Sequence, residues 1–295
     1  MLDIVQRHSC HRGEIEISYL EWKSSDLSTS ANLTNSTLAP RTLLLLHGLA
    51  DSATVWSSLG DYLSPTYHIV APDLRGHGES SKPNNGNSSA EIIADLETLM
   101  DHLNWKQAHI LGHSWGGKLA SIWATQNFNR FSSLILVDPF YVDRFPSWIK
   151  ITFPLLYRVL PFLQGMGPFE NEQAAAKIAR NLKQYRQWTP LQQKVFRASI
   201  EPKQNGMWGS KFTVPARNQI FTNVMQQAGL TKSLMIPSLF IQPSKGLNRT
   251  QWQLKPYLRY LPNLEVKKVP GNHWAFLVNP RPFNQEVAQF LERQI

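Results

Sequence analysis

A serine stands between two glycines in Gly112-His113-Ser114-Trp115-Gly116, directly after the apolar run Ala108-His109-Ile110-Leu111. The residues that follow, Gly117-Lys118-Leu119-Ala120-Ser121-Ile122-Trp123-Ala124, read as a helix. A chain that passes from strand to helix at this spacing must turn sharply. A turn that also holds the serine clear of the strand end has no room for side chains two positions to either side. Glycine fits there, so the segment reads as a nucleophile elbow, a unit of α/β proteins.

The remaining pattern agrees. Residues 14–22 alternate with period two, as a strand with one wet face does, and are expected to pair with the segment around 2–8. From residue 43 onward strands and helices alternate, the signature of a parallel sheet with helices on both faces. Strands are expected at 42–46, 68–72, 109–112, 134–137, 239–242 and 264–269, and helices at 53–63, 89–103, near 251–260 and at 282–293, with Ser88 or Ser89 as an N-cap. Residues 24–40, rich in Ser, Thr and Asn, read as a surface loop. Residues 139–231 do not alternate and read as several helices punctuated by Pro146, Pro154, Pro161, Gly165, Gly167 and Pro190. Within them, 148–163 is apolar nearly all round, and its prolines divide it into two short segments.

Composition narrows the function classes. With 42% hydrophobic and 11% aromatic residues among 295, the chain can build a substantial core. The single cysteine, Cys10, excludes an internal disulfide framework and a Cys-based zinc site. There is no apolar signal-peptide core near the N-terminus and no run of about 18 apolar residues, so a soluble cytoplasmic protein is expected. The net charge of +9 is dispersed, without a block of consecutive Lys/Arg, which argues against nucleic-acid binding. No His-x-x-x-His pair, Gly-x-Gly-x-x-Gly or Walker loop is present, so neither a metal nor a cofactor is implied.

Three further segments stand in a telling order. Thr42-Leu43-Leu44-Leu45-Leu46-His47-Gly48 ends a strand in His-Gly, Pro72-Asp73-Leu74-Arg75-Gly76-His77-Gly78-Glu79-Ser80 follows the next strand, and Pro270-Gly271-Asn272-His273 comes late. Together with the elbow they resemble the α/β-hydrolase family, in its serine esterase and lipase-like branch, from about residue 43 to the C-terminus with a weak middle. The resemblance implies a core of residues 1–138 and 232–295, with a helical cap, 139–231, inserted over the site. It also implies a triad in the order serine, acid, histidine. Of nine histidines only His273 follows Ser114, in the place where the family carries its base.

The acid is less direct. The family usually holds it in a turn beyond the strand at 237–241, but here that turn reads Gln242-Pro243-Ser244-Lys245-Gly246-Leu247-Asn248, with no carboxylate. Between Ser114 and His273 the carboxylates are Asp138, Asp143, Glu170, Glu172, Glu201 and Glu265. Asp138 ends the strand after the elbow helix, and the carboxyl ends of parallel strands are where sites assemble. Certain haloalkane dehalogenases of the family take their acid from this strand. Glu265 starts its strand, at the opposite end of the sheet, and the three other glutamates are expected in cap helices. Asp138 is therefore the expected acid, within about 3.2 Å of the His273 ring nitrogen, with Asp143 in reserve and a chain without an acid the remaining alternative.

An oxyanion hole needs two N–H groups. The resemblance assigns them to Trp115, after the nucleophile, and Leu49, in the loop after the His47-Gly48 strand. His47 is expected to shape that loop, and Asp73, Arg75 and His77 to form a structural turn under the sheet. A serine at 114 argues against epoxide hydrolases and haloalkane dehalogenases, which need a carboxylate nucleophile. The expected function is serine-dependent hydrolysis of small, apolar carboxylic esters through an acyl-enzyme. C–C or amide hydrolysis and acyl transfer use the same residues, and a non-catalytic ligand-binding or signalling protein is the rival from another class. Peripheral membrane contact through the cap, with Lys177, Arg180, Lys183 and Arg186, is a further alternative.

Overall fold

Gly13, in the left-handed region at φ +60°, turns the chain between Val5–Arg12 (β1) and Ile15–Trp22 (β2), which pair antiparallel along their whole length. The computed structural model describes residues 5–23, 41–144 and 166–294. In it this hairpin forms one edge of an eight-stranded sheet. The next strand, Thr42–Leu46 (β3), is buried at every position, as a strand covered on both faces must be. His68–Pro72 (β4), Ala108–His113 (β5) and Phe131–Val137 (β6) follow. Ile200–Pro202 (β7) and Trp208–Ser210 (β8) form a separate two-stranded ribbon. Ser238–Lys245 (β9) and Leu264–Asn272 (β10) complete the large sheet in the order β1-β2-β4-β3-β5-β6-β9-β10, parallel from β4 to β10.

Alternate side chains of the strands feed two cores. Leu44, Leu46, Ile110, Leu134 and Leu136 face one side, under Ser89–His102 and Trp115–Gln126; Leu43, Leu45, Leu111, Ile135 and Val137 face the other, under Ser57–Leu63, Ala275–Val278 and Pro280–Glu292. In chain order we number the helices Ser57–Leu63 (α1), Ser89–His102 (α2), Trp115–Gln126 (α3), Glu172–Ala179 (α4), Pro190–Ser199 (α5), Val214–Gln226 (α6), Gln251–Tyr260 (α7), Ala275–Val278 (α8) and Pro280–Glu292 (α9). Ser88 caps α2 by accepting the Glu91 N–H. The chain moves from β3 to β4 on one side and then to β5 on the other, so the loops after β3 and β5 diverge and open a crevice at the carboxyl ends of the strands.

Several boundaries differ from the sequence reading. The expected helix at 53–63 opens with one 3-10 turn, Ala53–Trp56, before α1. β9 and β10 run on through polar residues to Lys245 and Asn272, because those two residues still pair with each other across the sheet. The β7/β8 ribbon was not visible from periodicity, being two three-residue strands that contain Pro202 and Gly209; its one signal is Asn205-Gly206, with Gly206 at φ +77°. Of the three glutamates expected on helices, Glu172 is on α4, Glu201 is on β7, and Glu170 precedes α4. The loop reading of 24–40 and the apolar segment 148–163 lie outside the described residues. Among the described residues no helix is long and apolar enough to cross a membrane.

Candidate active site

Ser114 sits at φ +52° and ψ −117°, between β5 and α3. The two glycines are required by close backbone approach. A Cβ on Gly112 would lie 2.4 Å from the Gly116 carbonyl oxygen, and one on Gly116 would lie 2.4 Å from the His47 carbonyl oxygen. A non-glycine residue in such a conformation costs about 1–3 kcal/mol and persists only where its surroundings hold it. Here the Ser114 N–H donates to the Val137 carbonyl at 3.0 Å, and the Phe140 N–H donates to the Ser114 carbonyl at 2.9 Å. The elbow is thereby fastened to the end of β6, which carries Asp138.

Asp138 is fully buried and also lies in the left-handed region, at φ +39°. Its Oδ2 is 2.6 Å from His273 Nδ1. The same oxygen accepts the Leu247 N–H at 2.7 Å, while Oδ1 accepts the Asn248 N–H at 3.0 Å and the Asn248 side-chain amide at 3.1 Å. The turn that lacks a carboxylate thus supplies three donors to one. Gly246 allows the approach, since a Cβ there would stand 2.5 Å from Asp138 Oδ2. Burial alone would raise the Asp138 carboxyl, but the His273 bond and charge together with the two backbone amides outweigh it and hold the group below the usual carboxylate value. His273 follows β10, and its carbonyl accepts from His113 Nε2 at 3.0 Å. Donation from Nδ1 to Asp138 leaves Nε2 of a neutral His273 as an acceptor.

Among the described residues Ser114 Oγ has no hydrogen-bond partner, His273 included. Such bonds are often long before substrate binds. Asp143 makes no bond to His273: its carboxylate accepts from Tyr141 and its carbonyl from Lys118.

The loop after β3 is tied down at several points. Leu74 N–H donates to His47 Nε2 at 2.9 Å, and His47 Nδ1 donates to the Gly48 carbonyl at 2.8 Å. Ala50 N–H donates to His77 Nε2 at 3.2 Å, and Ala53 N–H to Asp73 Oδ1 at 2.7 Å. Burial lowers the pKa of both His47 and His77, keeping them neutral with one acceptor nitrogen each. Asp73, Arg75 and His77 therefore lie at the carboxyl end of β4, on the site's side of the sheet and not under it, where Asp73 and His77 brace this loop. The N–H groups of Leu49 and Trp115 take no part in these loop bonds.

Beside Leu49 is a small, partly open cavity of about 40 Å³, walled by Leu49, Met166, Phe169, Leu182, Phe196 and Ile200, with Asp51, Gln184, Tyr185 and Trp274 among its polar neighbours. The described residues contain no group of three His, Cys, Asp or Glu placed to hold a metal. Sequence reasoning missed the amide cradle at 246–248. Gly246 and Asn248 mark a turn, but its acceptor lies over a hundred residues away in the chain.

A sheet in this order, crossed by a glycine-lined serine turn, defines a class, and the chain belongs to it: the family model of the alpha/beta hydrolase fold matches residues 41–280. Among curated proteins it is 31% identical over 148 residues to a soluble epoxide hydrolase of Corynebacterium sp. (strain C12), a stretch covering 48% of this chain and 49% of that protein. It is 36% identical over 115 residues to a fluoroacetate dehalogenase of Burkholderia sp., covering 35% and 38%. The chain thus matches half or less of the length of these relatives. Among solved structures, E-2-(acetamidomethylene)succinate hydrolase superposes with a TM-score of 0.73 at 19% identity, over 98% of this chain and 99% of the other. A marine microorganism esterase superposes with a TM-score of 0.68 at 21% identity, over 86% and 96%.

Proposed function

We propose that this protein is a serine-dependent hydrolase of carboxylic esters that works through an acyl-enzyme. The observation that carries the reading is the 2.6 Å contact between Asp138 and His273 Nδ1, beside a serine presented by a glycine-lined elbow. In this scheme Ser114 Oγ attacks the ester carbonyl and its proton passes to His273 Nε2. Asp138 fixes the tautomer and stabilises the imidazolium. The Leu49 and Trp115 N–H groups hold the tetrahedral oxyanion, a role in which one donor is worth about 3–4 kcal/mol. Collapse releases the alcohol, which takes the proton from His273. Water, deprotonated by the same histidine, then attacks the acyl-enzyme and frees the acid.

The serine at 114 argues against epoxide hydrolysis and haloalkane dehalogenation, for which the family resemblance implies a carboxylate nucleophile. Residues 139–231 serve as a cap on this reading, and the apolar wall of Met166, Phe169, Leu182, Phe196 and Ile200 favours an apolar portion of substrate beside the oxyanion loop. The missing carboxylate near Lys245 does not argue for a retired enzyme, because that turn's amides serve Asp138. Labelling with a fluorophosphonate, paired with a series of p-nitrophenyl esters of increasing acyl length, tests the reading. A single adduct on Ser114 is expected, and Ser114→Ala should lose both the adduct and at least about 1000-fold in turnover while keeping its circular dichroism. Persistent hydrolysis by a folded Ser114→Ala protein would overturn it.

A further inference from the structure

Asp51 is a carboxylate that the scheme above does not use, and it is 8% exposed on the oxyanion loop, two residues beyond Leu49. An ion so placed is costly unless its oxygens are well supplied with donors. Asp51 Oδ2 has one donor, the Trp274 indole at 3.3 Å. The other neighbour, His113 Nδ1, is 3.6 Å away, beyond hydrogen-bond distance. It also has no proton to give, because burial followed by the charge of His273 keeps His113 neutral, and its one N–H is spent from Nε2 on the His273 carbonyl. His113 Nδ1 is itself left without a partner. Asp51 Oδ1 has no hydrogen-bond partner among the described residues, and no Lys or Arg forms an ion pair with this carboxylate there. An ionised carboxylate offers about four acceptor sites, so most of its capacity is left to solvent or to a ligand.

Asp51 itself lines the cavity beside Leu49. At about 40 Å³ that cavity holds roughly three water-sized groups, the space of a hydroxyl or ammonium and the carbon that bears it. The rest of the wall is apolar or uncharged, with Gln184, Tyr185, Ser199, Ser210 and Trp274 its other polar members, so a donor arriving there meets one anionic acceptor.

We propose that Asp51 is a substrate-recognition residue, and that the preferred esters carry an O–H or N–H donor that enters this cavity and binds the carboxylate while the ester carbonyl lies against Leu49. The inference rests on the serine-hydrolase reading and specifies its substrate class.

The test is a panel of methyl esters bearing hydroxyl, amino or methoxy groups at C2, C3 or C4 of the acyl chain, with acid release followed by titration. Fluorophosphonate labelling of Ser114 is measured in parallel. At one position or more, the hydroxy or amino ester should exceed its methoxy counterpart in kcat/KM by about 10- to 100-fold. Asp51→Leu should erase that ratio. Asp51→Asn, which preserves shape and an acceptor, separates the two donors: an ammonium loses its advantage with the charge, whereas a hydroxyl keeps part of it. Equal rates for donor and methoxy esters across the panel, or a preference that survives in both variants, would overturn the proposal. Labelling that is normal alongside such a result leaves the nucleophile assignment standing, whereas absent labelling in the unmodified protein points to failure of that assignment instead.

Discussion

At the scale of single residues, the distinctive group is Asp138, an anion without exposed surface whose charge is met by His273, two backbone amides and the Asn248 side chain. Its folded pKa is depressed, so its contribution to stability is present above the unfolded carboxyl value of about 3.9 and is lost as the pH falls through the lower folded value. Across neutral pH Asp138 stays ionised and holds His273 in one tautomer. Asp138→Asn replaces an acceptor by a donor at one oxygen and allows the wrong tautomer. Turnover should fall by about 10⁴-fold, with KM little changed and secondary structure retained. A variant with near-normal kcat would mean that the histidine takes its orientation from elsewhere.

At the scale of elements, the glycine-lined turns are where short-range sequence is most readable and least complete. Gly112 and Gly116 were legible as a pair because the contacts that exclude side chains are made within the elbow and with the neighbouring β3 turn. The strands and helices of the core were legible for a similar reason: the central strands are short apolar runs and the helices carry an apolar face, signals that lie within each element. The Ser88-Ser89 pair, either residue a candidate cap, marked the start of α2. The cradle for Asp138 was not legible, because Gly246 and Asn248 would form the same local turn whatever acceptor lay opposite. The placement of Asp73, Arg75 and His77 was open to the argument used for Asp138, since residues that directly follow a parallel strand lie at its carboxyl end; the expectation of a turn under the sheet did not apply it. Gly246→Ala measures the cradle directly. A methyl group 2.5 Å from the Asp138 carboxylate must displace the turn or the acid, so a stability loss of about 1–3 kcal/mol in denaturant titration should accompany a drop in kcat. Loss of stability without loss of turnover would separate the turn from the chemistry.

At the scale of the whole molecule, the sheet and the loops at its carboxyl end bury four imidazoles among the described residues. His47, His77, His109 and His113 all have pKa values lowered, first of all by burial, that of His109 to about 4. For such a base the unfolded chain takes up protons that the folded one refuses. Stability is therefore highest above about pH 6.5 and declines as the pH falls toward the folded values. His109 alone accounts for about 3 kcal/mol of this by pH 4, so the melting temperature should drop steeply between pH 6.5 and 4, and His109→Gln should flatten that slope. A melting temperature flat over this interval would show that these rings protonate without unfolding the sheet. The cradle has a consequence on a different scale, that of descent. Residue 138 and residues 246–248 lie more than a hundred positions apart, yet each is of little use without the other. A lineage moving its carboxylate from one strand end to the other would have to exchange both segments, and in related sequences Asp138 should be inherited together with Gly246 and Asn248.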